Sequence, residues 1–286
     1  MYVNSEKSGK ITRKGEIFVI LELGISVGAL GIASLVWSNM AVSVSRYEIS
    51  ADRSLKILHL SDLHKKKFGK DYKKLLDKIP DEKFDFICFT GDLISRGEYI
   101  FDERLSFVKK LTELAPVFFV CGNHEAERPE NYLKLRDELE KIGVTVLDNE
   151  TVSFENTRIA GFSSEKRFFR NEKDGFSGLY KIDSNYLKEK LGEKSDEFTI
   201  LLSHSPFFFE KYAEWGADLT LCGHVHGGVV RLPFVGGVLS PERKFFPKYD
   251  GGIYEKNSKK MVVSRGLGKL RLFNPSEIVV IDIKKG

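Results

Sequence analysis

Five times in this chain a short apolar run ends on a cluster of acidic, amide or imidazole side chains. Leu55 to Leu60 runs into Ser61-Asp62-Leu63-His64, and Phe84 to Phe89 into Thr90-Gly91-Asp92. Val117 to Val120 is followed by Gly122-Asn123-His124-Glu125, Phe198 to Leu202 by Ser203-His204-Ser205, and Leu219 to Cys222 by Gly223-His224-Val225-His226-Gly227. Runs of this length and composition read as buried strands. Between the first three lie stretches of helical spacing: Tyr72 to Ile79, Phe101 to Leu114, and Pro129 to Ile142 with proline at its start. Strand, polar motif and helix repeated in this order predict βα units with their motifs at the carboxyl ends of the strands, where open α/β sheets bind ligands.

The second half is richer in strands. Val144–Leu147, Thr151–Phe154, Arg158–Gly161, Val229–Leu232, Lys260–Ser264 and Glu277–Ile283 join Phe198–Leu202 and Leu219–Cys222. The expectation is an α/β fold: a four-layer αββα sandwich of two mixed β-sheets flanked by helices, preceded by one N-terminal transmembrane helix. Two long loops, Ser163 to Gly178 and Pro233 to Gly252, carry phenylalanine pairs set among basic residues: Lys166-Arg167-Phe168-Phe169-Arg170 and Arg243-Lys244-Phe245-Phe246-Pro247-Lys248. Such a rim suits a membrane surface or an acyl chain, and ordinary packing of long loops is the plainer reading.

Ile17 to Trp37 is apolar or small apart from Glu22, and at about 21 residues it is long enough to cross a bilayer. Lys7, Lys10, Arg13 and Lys14 precede it, which places the N-terminus in the cytoplasm and the large domain outside. A cleaved signal with small residues at Ala41 and Ser43 is the alternative. Gly24 and Gly28 have the spacing of a helix-packing motif, and no arginine pair marks a twin-arginine route. Ser38 to Arg53 reads as a connector. The net charge of +4 in 286 residues is too small to suggest a nucleic-acid surface. Cys88, Cys121 and Cys222 sit in or at the end of apolar runs and read as buried core thiols.

Mixed nitrogen and oxygen ligands suit borderline divalent ions such as Mn2+, Zn2+ or Fe2+, and paired ions are a recurrent device for cleaving phosphate esters. His59 alternates to the face opposite Asp62 and reads as a core or supporting histidine. The lysines Lys65, Lys66 and Lys67 read as a solvated face or as an attractor of anionic groups.

The ordered series of motifs, with Ile57-Leu58-His59-Leu60 before the first and Val263-Ser264-Arg265-Gly266-Leu267-Gly268 near the end, resembles the calcineurin-like metallophosphoesterase superfamily. It is most similar to the membrane-anchored or exported bacterial branch of YkuE- and YaeI-like phosphodiesterases and the related UDP-2,3-diacylglucosamine pyrophosphohydrolases. The resemblance covers about Leu55 to Ile283. It implies two divalent metal ions and hydrolysis of a phosphodiester, pyrophosphate or phosphomonoester bond through a metal-bridging hydroxide; the basic-flanked phenylalanine loops, if they border the cleft, favour a lipid- or nucleotide-linked substrate. The resemblance implies that Asp62, His64 and His226 hold one ion, that Asp92 bridges, and that Asn123, His204 and His224 hold the other. His124 would be the catalytic non-ligand at the leaving group, oriented by Glu125 or another carboxylate. Arg96 and Arg265 are candidates for substrate-phosphate contacts, and surface structural arginines are the equal alternative. Val229 stands where the branch usually has glutamine, and Ser95 where protein phosphatases of the superfamily have aspartate.

The expected layout is a cytoplasmic tail at 1–16, an anchor or uncleaved signal at 17–38, a connector at 39–53 and a metallophosphoesterase domain at 54–286. A non-catalytic scaffold would lose ligands that this chain keeps, and a nuclease would show a basic groove. No nucleic acid and no obligate protein partner are expected.

Overall fold

The fold is taken from a computed structural model, which describes residues 13–163, 165, 182–241, 244–269 and 271–286. Helix α1 (Arg13–Met40) passes through Ala41 straight into strand β1 (Val42–Ala51). Three βα units follow: β2 (Leu55–Leu60) with α2 (Lys73–Leu76), β3 (Phe86–Thr90) with α3 (Asp102–Thr112), and β4 (Val117–Val120) with α4 (Asn123–Ala126) and α5 (Pro129–Lys141). The chain continues through β5 (Val144–Val146), β6 (Glu150–Phe154), β7 (Thr157–Phe162), α6 (Ser184–Leu191), β8 (Phe198–Ser203), α7 (Phe209–Trp215) and β9 (Leu219–Cys222). A hairpin of β10 (Val230–Leu232) and β11 (Gly236–Leu239) precedes β12 (Gly252–Lys256), β13 (Lys259–Val263) and β14 (Ser276–Lys285).

These strands make two mixed six-stranded sheets, ordered β1-β14-β2-β3-β4-β5 and β12-β13-β9-β8-β7-β6, with β10-β11 as a separate pair. Strand alternation explains why both faces of each sheet are apolar. Ile57, Phe86, Cys88, Phe118 and Val120 of the first sheet meet Ile200, Leu202, Leu219 and Leu221 of the second between the sheets. The intervening residues Leu58, Ile87, Phe89, Val117 and Phe119 pack outward with Tyr72, Phe107, Leu111 and Leu135 of the helical side. On the other outer face Leu201, Cys222 and Val263 pack with Leu187, Tyr212 and Trp215. Three apolar layers thus separate helix, sheet, sheet and helix, the expected αββα sandwich. All three cysteines are buried and free.

Several expectations about single segments need correction. The segment read as a connector holds β1, which pairs with β14 in parallel along its whole length, from Val42↔Ser276 to Ala51↔Lys285. The first expected helix shrinks to α2, because Asp71 and Tyr72 before it have φ of 51° and 58°, outside helical space. The second long loop carries β11. Phe245 and Phe246 within it are exposed rather than packed. The first loop's basic-flanked phenylalanines, 166–170, lie outside the described residues. In α1, the stretch Phe18–Met40 is 23 residues and contains an 18-residue window of mean hydropathy 2.1, long and apolar enough to cross a membrane.

Candidate metal centre

Three of the five motifs follow the neighbouring parallel strands β2, β3 and β4 of one sheet, and two follow β8 and β9 of the other. Their carboxyl ends open at the same end of the sandwich, so residues as far apart in sequence as Asp62 and His226 converge. The loops are stitched together by backbone bonds: Asp62 N–H to Gly91 O (3.0 Å), His64 N–H to Asp92 O (3.0 Å) and Gly223 N–H to His204 O (3.1 Å). The approach is so close that a Cβ on Gly122 would lie 2.2 Å from Asp92 Oδ1, so only glycine fits there. Asp62, His64, Asp92, His224 and His226 all have φ between 49° and 72°, unusual for residues other than glycine. Strain of that kind gathers at functional sites.

Asp92, 1% exposed, is the centre of the cluster. Its Oδ2 lies 3.4 Å from His204 Nε2, 3.5 Å from His64 Nε2 and 3.9 Å from His124 Nε2. Asp62 Oδ1 lies 3.7 Å from His226 Nε2 and 3.8 Å from His204 Nε2, and its carboxylate also accepts the His224 N–H. Asn123 Oδ1 lies 3.0 Å from His204 Nε2 and 2.8 Å from His224 Nδ1. The structure therefore brings all seven sequence candidates for metal ligation together with His124. Asp62, His64 and His226, and Asp62, Asp92 and His204, each form a group able to hold a cation, with Asp62 common to both.

The donor set fits a metal on chemical grounds. The carbonyl of Thr90 can only accept, so His204 Nδ1, 2.7 Å away, must donate to it. In the neutral ring His204 Nε2 is then a lone pair, and it sits among Asn123 Oδ1, Asp92 Oδ2, Asp62 Oδ1 and, at 3.1 Å, His224 Nδ1. Two carboxylates, an amide oxygen and imidazole nitrogens converging at full burial make a donor set that fits a cation. A proton is the competing cation: burial pulls the His204 ring down, but the Asp92 and Asp62 carboxylates and the Thr90 carbonyl outweigh it and hold the ring up at about 10. Burial favours raising Asp92, yet the His204, His124 and His64 rings leave it ionised, well below the usual carboxylate range. Burial, with the His64 ring and Arg271 beside it, holds His226 well below the ordinary imidazole value, so that ring is neutral near pH 7.

His124 also lies within ligand reach of His64 and Asp92, so position alone does not separate its role. Its tautomer does. The Arg96 backbone N–H donates to His124 Nδ1 at 3.1 Å, which leaves the proton of the neutral ring on Nε2, the atom facing the cluster. In that tautomer Nε2 is a donor rather than a lone pair, unlike Nε2 of His204.

Two supporting assignments change. Glu125 does not touch His124; it accepts the N–H groups of Asp92 (2.8 Å), Gly122 (2.9 Å) and Ile94 (3.0 Å) and so shapes the loops under the cluster. Arg265 lies with its guanidinium on Glu277, at 2.7 and 2.8 Å, and on Ser43, at 3.1 Å. It lines the cleft beside Trp37 and Phe273, and it is not among the residues lining the cavity above the cluster. Arg96 pairs with Glu127 at the edge of the site. Sequence reading missed Arg104, buried and paired with Glu98, whose guanidinium donates to His64 O at 2.9 and 3.2 Å. A cation in the first turn of a helix opposes the helix dipole, which was the available hint. It also missed Asn274, whose Nδ2 donates to His226 O (2.6 Å) and Gly228 O (2.7 Å). His59, fully buried, meets Thr90 Oγ1 at 2.8 Å and supports the β3 end of the site, as its alternation indicated.

Above the cluster lies a cavity of about 300 Å³ lined by His64, Lys65, Ser95, His124, His226, Val229, Pro241 and Lys269. The two lysines place positive charge where an anion would enter.

Residues 55–228 match the family model of the calcineurin-like phosphoesterases. The chain belongs to that family. This phosphoesterase is 30% identical over 243 residues to the uncharacterized metallophosphoesterase Cj0846 of Campylobacter jejuni, which covers 81% of this chain and only 60% of that longer relative. It is 30% identical to the phosphodiesterase YaeI of Escherichia coli, over 80% of this chain and 82% of YaeI. It is 23% identical to the UDP-2,3-diacylglucosamine pyrophosphatase LpxG of Chlamydia muridarum, over 79% of this chain and 83% of LpxG. The crystal structure of TT1561 of Thermus thermophilus shares the fold, with a TM-score of 0.50 at 16% identity over 76% of this chain and 91% of that one. The family is hydrolytic and uses divalent metal ions, so this chain is a metal-dependent phosphohydrolase.

Proposed function

We propose that the phosphoesterase holds two divalent ions, drawn from Mn2+, Zn2+ and Fe2+, and cleaves a phosphodiester or pyrophosphate bond of a lipid-linked substrate while anchored in a membrane by α1. The observation that carries the metal reading is the convergence of Asp62, His64, Asp92, His204 and His226 into overlapping groups with ligand spacing. Asp62, His64 and His226 would hold one ion, Asn123, His204 and His224 the other, and Asp92 would lie between them. When bound, the ions supply Lewis-acid stabilisation of phosphoryl oxygens and a water acidic enough to act at neutral pH.

The chain's own residues do the rest. Lys65 and Lys269 draw the anionic ester into the cavity. His124, fixed by the Arg96 N–H, presents its Nε2 proton to the leaving-group oxygen. Glu125 and Arg104 hold the Asp92 and His64 loops in register. The apolar helix and the likeness to a pyrophosphatase of a diacylated sugar nucleotide support a lipid-linked substrate. The apolar Val229 on the cavity wall suits it too.

The test is hydrolysis of bis-p-nitrophenyl phosphate by the full chain in detergent, with manganese, zinc or magnesium, beside metal content. Metal-stimulated turnover that disappears in Asp92→Asn together with its metal supports the reading. Turnover that persists in metal-free protein, or full metal retention in Asp92→Asn, overturns it.

A further inference from the structure

α1 is not a tether. Only Ala41 separates it from β1, and β1 is paired over its whole length inside the first sheet. The helix end is also clamped from the side. Ser34 Oγ accepts the Phe273 N–H at 2.9 Å and Ser38 Oγ accepts the Asn274 N–H at 3.1 Å, and both serines are buried whereas most residues between Phe18 and Met40 are exposed. Ser34 lies six residues before Met40, so the domain reaches about 9 Å back along the helix axis. The clamped segment in turn holds the β10–β11 hairpin, through Arg231 N–H to Leu272 O (3.1 Å) and Leu272 N–H to Val229 O (2.9 Å). Val229 lines the cavity above the metal cluster. Helix, hairpin and cavity wall form one hydrogen-bonded unit.

The tip of that hairpin is unusually apolar for a surface turn. Phe234 is fully exposed, Val235 is 57% exposed and Leu232 is 40% exposed. They border the same cleft, of about 640 Å³, as Trp37 near the helix end. Trp37 is itself 55% exposed and lies near the C-terminal end of the apolar stretch, and membrane spans carry aromatics at their ends. The exposed apolar tip thus continues the exposed apolar surface of α1 onto the domain.

We infer that the Leu232–Val235 tip is seated in the interface of the bilayer that α1 crosses, beside Trp37. The occupant of this apolar surface is the lipid bilayer, because the surface is continuous with the span and held at its end. The hairpin then runs from lipid at its tip to the metal cavity at its base, so the cavity is mounted at a fixed height on the membrane. The inference rests on the reading of α1 as a membrane span and extends it.

The test uses the full chain in phosphatidylcholine vesicles, labelled with an environment-sensitive fluorophore at one introduced cysteine, the three native cysteines being buried. Val235→Cys reports the tip, Ile25→Cys the middle of α1, and Glu214→Cys the far outer helix α7. Lipids carrying a nitroxide near the headgroup or near the acyl end report depth. The expected result is blue-shifted emission at position 235, quenched more by the shallow nitroxide. The label at 25 should be quenched more by the deep one, and the label at 214 by neither. Quenching at 25 with position 235 as unquenched as 214 overturns the seating while leaving the span intact. Equal quenching at 235 and 214 overturns it as well. A label at 25 that stays in water overturns the span, and the seating with it.

Discussion

Replacing Glu125 with alanine tests whether the centre is held by its backbone scaffold as well as by its ligands. The carboxylate accepts three N–H groups, from Asp92, Gly122 and Ile94, at 2.8 to 3.0 Å, and it is fully buried. Alanine leaves all three donors unpaired. At about 2 kcal/mol for each buried unsatisfied group, the loss is about 6 kcal/mol. Part is recovered, because the carboxyl itself is costly in that position. Burial and the Asp92 carboxylate push it from 4.5 up to about 8, against the pull of the Ile94 and Asp92 N–H groups. A group raised in this way loses stability as pH climbs from its unfolded toward its folded value. At pH 7 that amounts to about 2.5 units at about 1.4 kcal/mol each, roughly 3.5 kcal/mol. The net expectation is destabilisation by about 2.5 kcal/mol, with Asp92 displaced and metal lost.

Guanidinium unfolding of parent and Glu125→Ala in micelles, in chelator and again with manganese, reads both effects. In chelator the midpoint should fall by the full amount. With manganese the gap should widen, because the parent gains ligand stabilisation that the variant cannot. A variant within about 0.5 kcal/mol of the parent in chelator, with its metal content unchanged, would refute the scaffold argument.

Further outcomes follow from other contacts. His124→Ala should retain its metal while losing turnover by about 100- to 10,000-fold, the usual range for a lost general acid, as checked by metal analysis beside steady-state rates; metal loss would make it a ligand instead. Burial lowers His59 from 6.5 to about 3, so its neutral form is required by the fold, and the unfolded chain takes up the extra proton as pH falls. Metal-free protein should therefore lose about 2 kcal/mol between pH 7 and pH 5, and His59→Gln should flatten that slope in denaturant titrations. A fragment beginning at residue 54 lacks β1 and uncovers the β14 edge together with the partners of Ile49 and Tyr47. It should be less stable than a fragment beginning at residue 42 by at least about 3 kcal/mol, as read from unfolding midpoints.

The residues whose chemistry is carried by their own side chains were legible in order: Asp62, His64, Asp92, Asn123, His124, His204, His224 and His226 all converge. Their strands were legible too, because parallel strands buried on both faces leave continuous apolar runs that stop where the ligands begin. β1 was not. Its inter-sheet face opens with Ser43 and Ser45, which meet Ser276 and Glu277, before turning apolar at Tyr47 and Ile49. The alternation is present, but its first inward residues are polar, and polar-in reads as linker.

The supports show a different limit. Arg104 under the His64 carbonyl and Asn274 under the His226 carbonyl serve backbone atoms, 40 and 48 residues away respectively. A carbonyl carries no side-chain identity, so nothing near His226 in sequence calls for an asparagine at 274. The left-handed φ of Asp62, His64, Asp92, His224 and His226 is equally silent in sequence, although glycine stands beside three of them. Each such residue costs about 1–2 kcal/mol unless its surroundings compel it. Those surroundings are the very contacts that sequence hides: Glu125 beneath Asp92, Arg104 beneath His64, Asn274 beneath His226. Ligand identity can therefore be read locally, whereas ligand placement is a property of the assembled loops, and here it extends through Asn274 to Ser38 on α1.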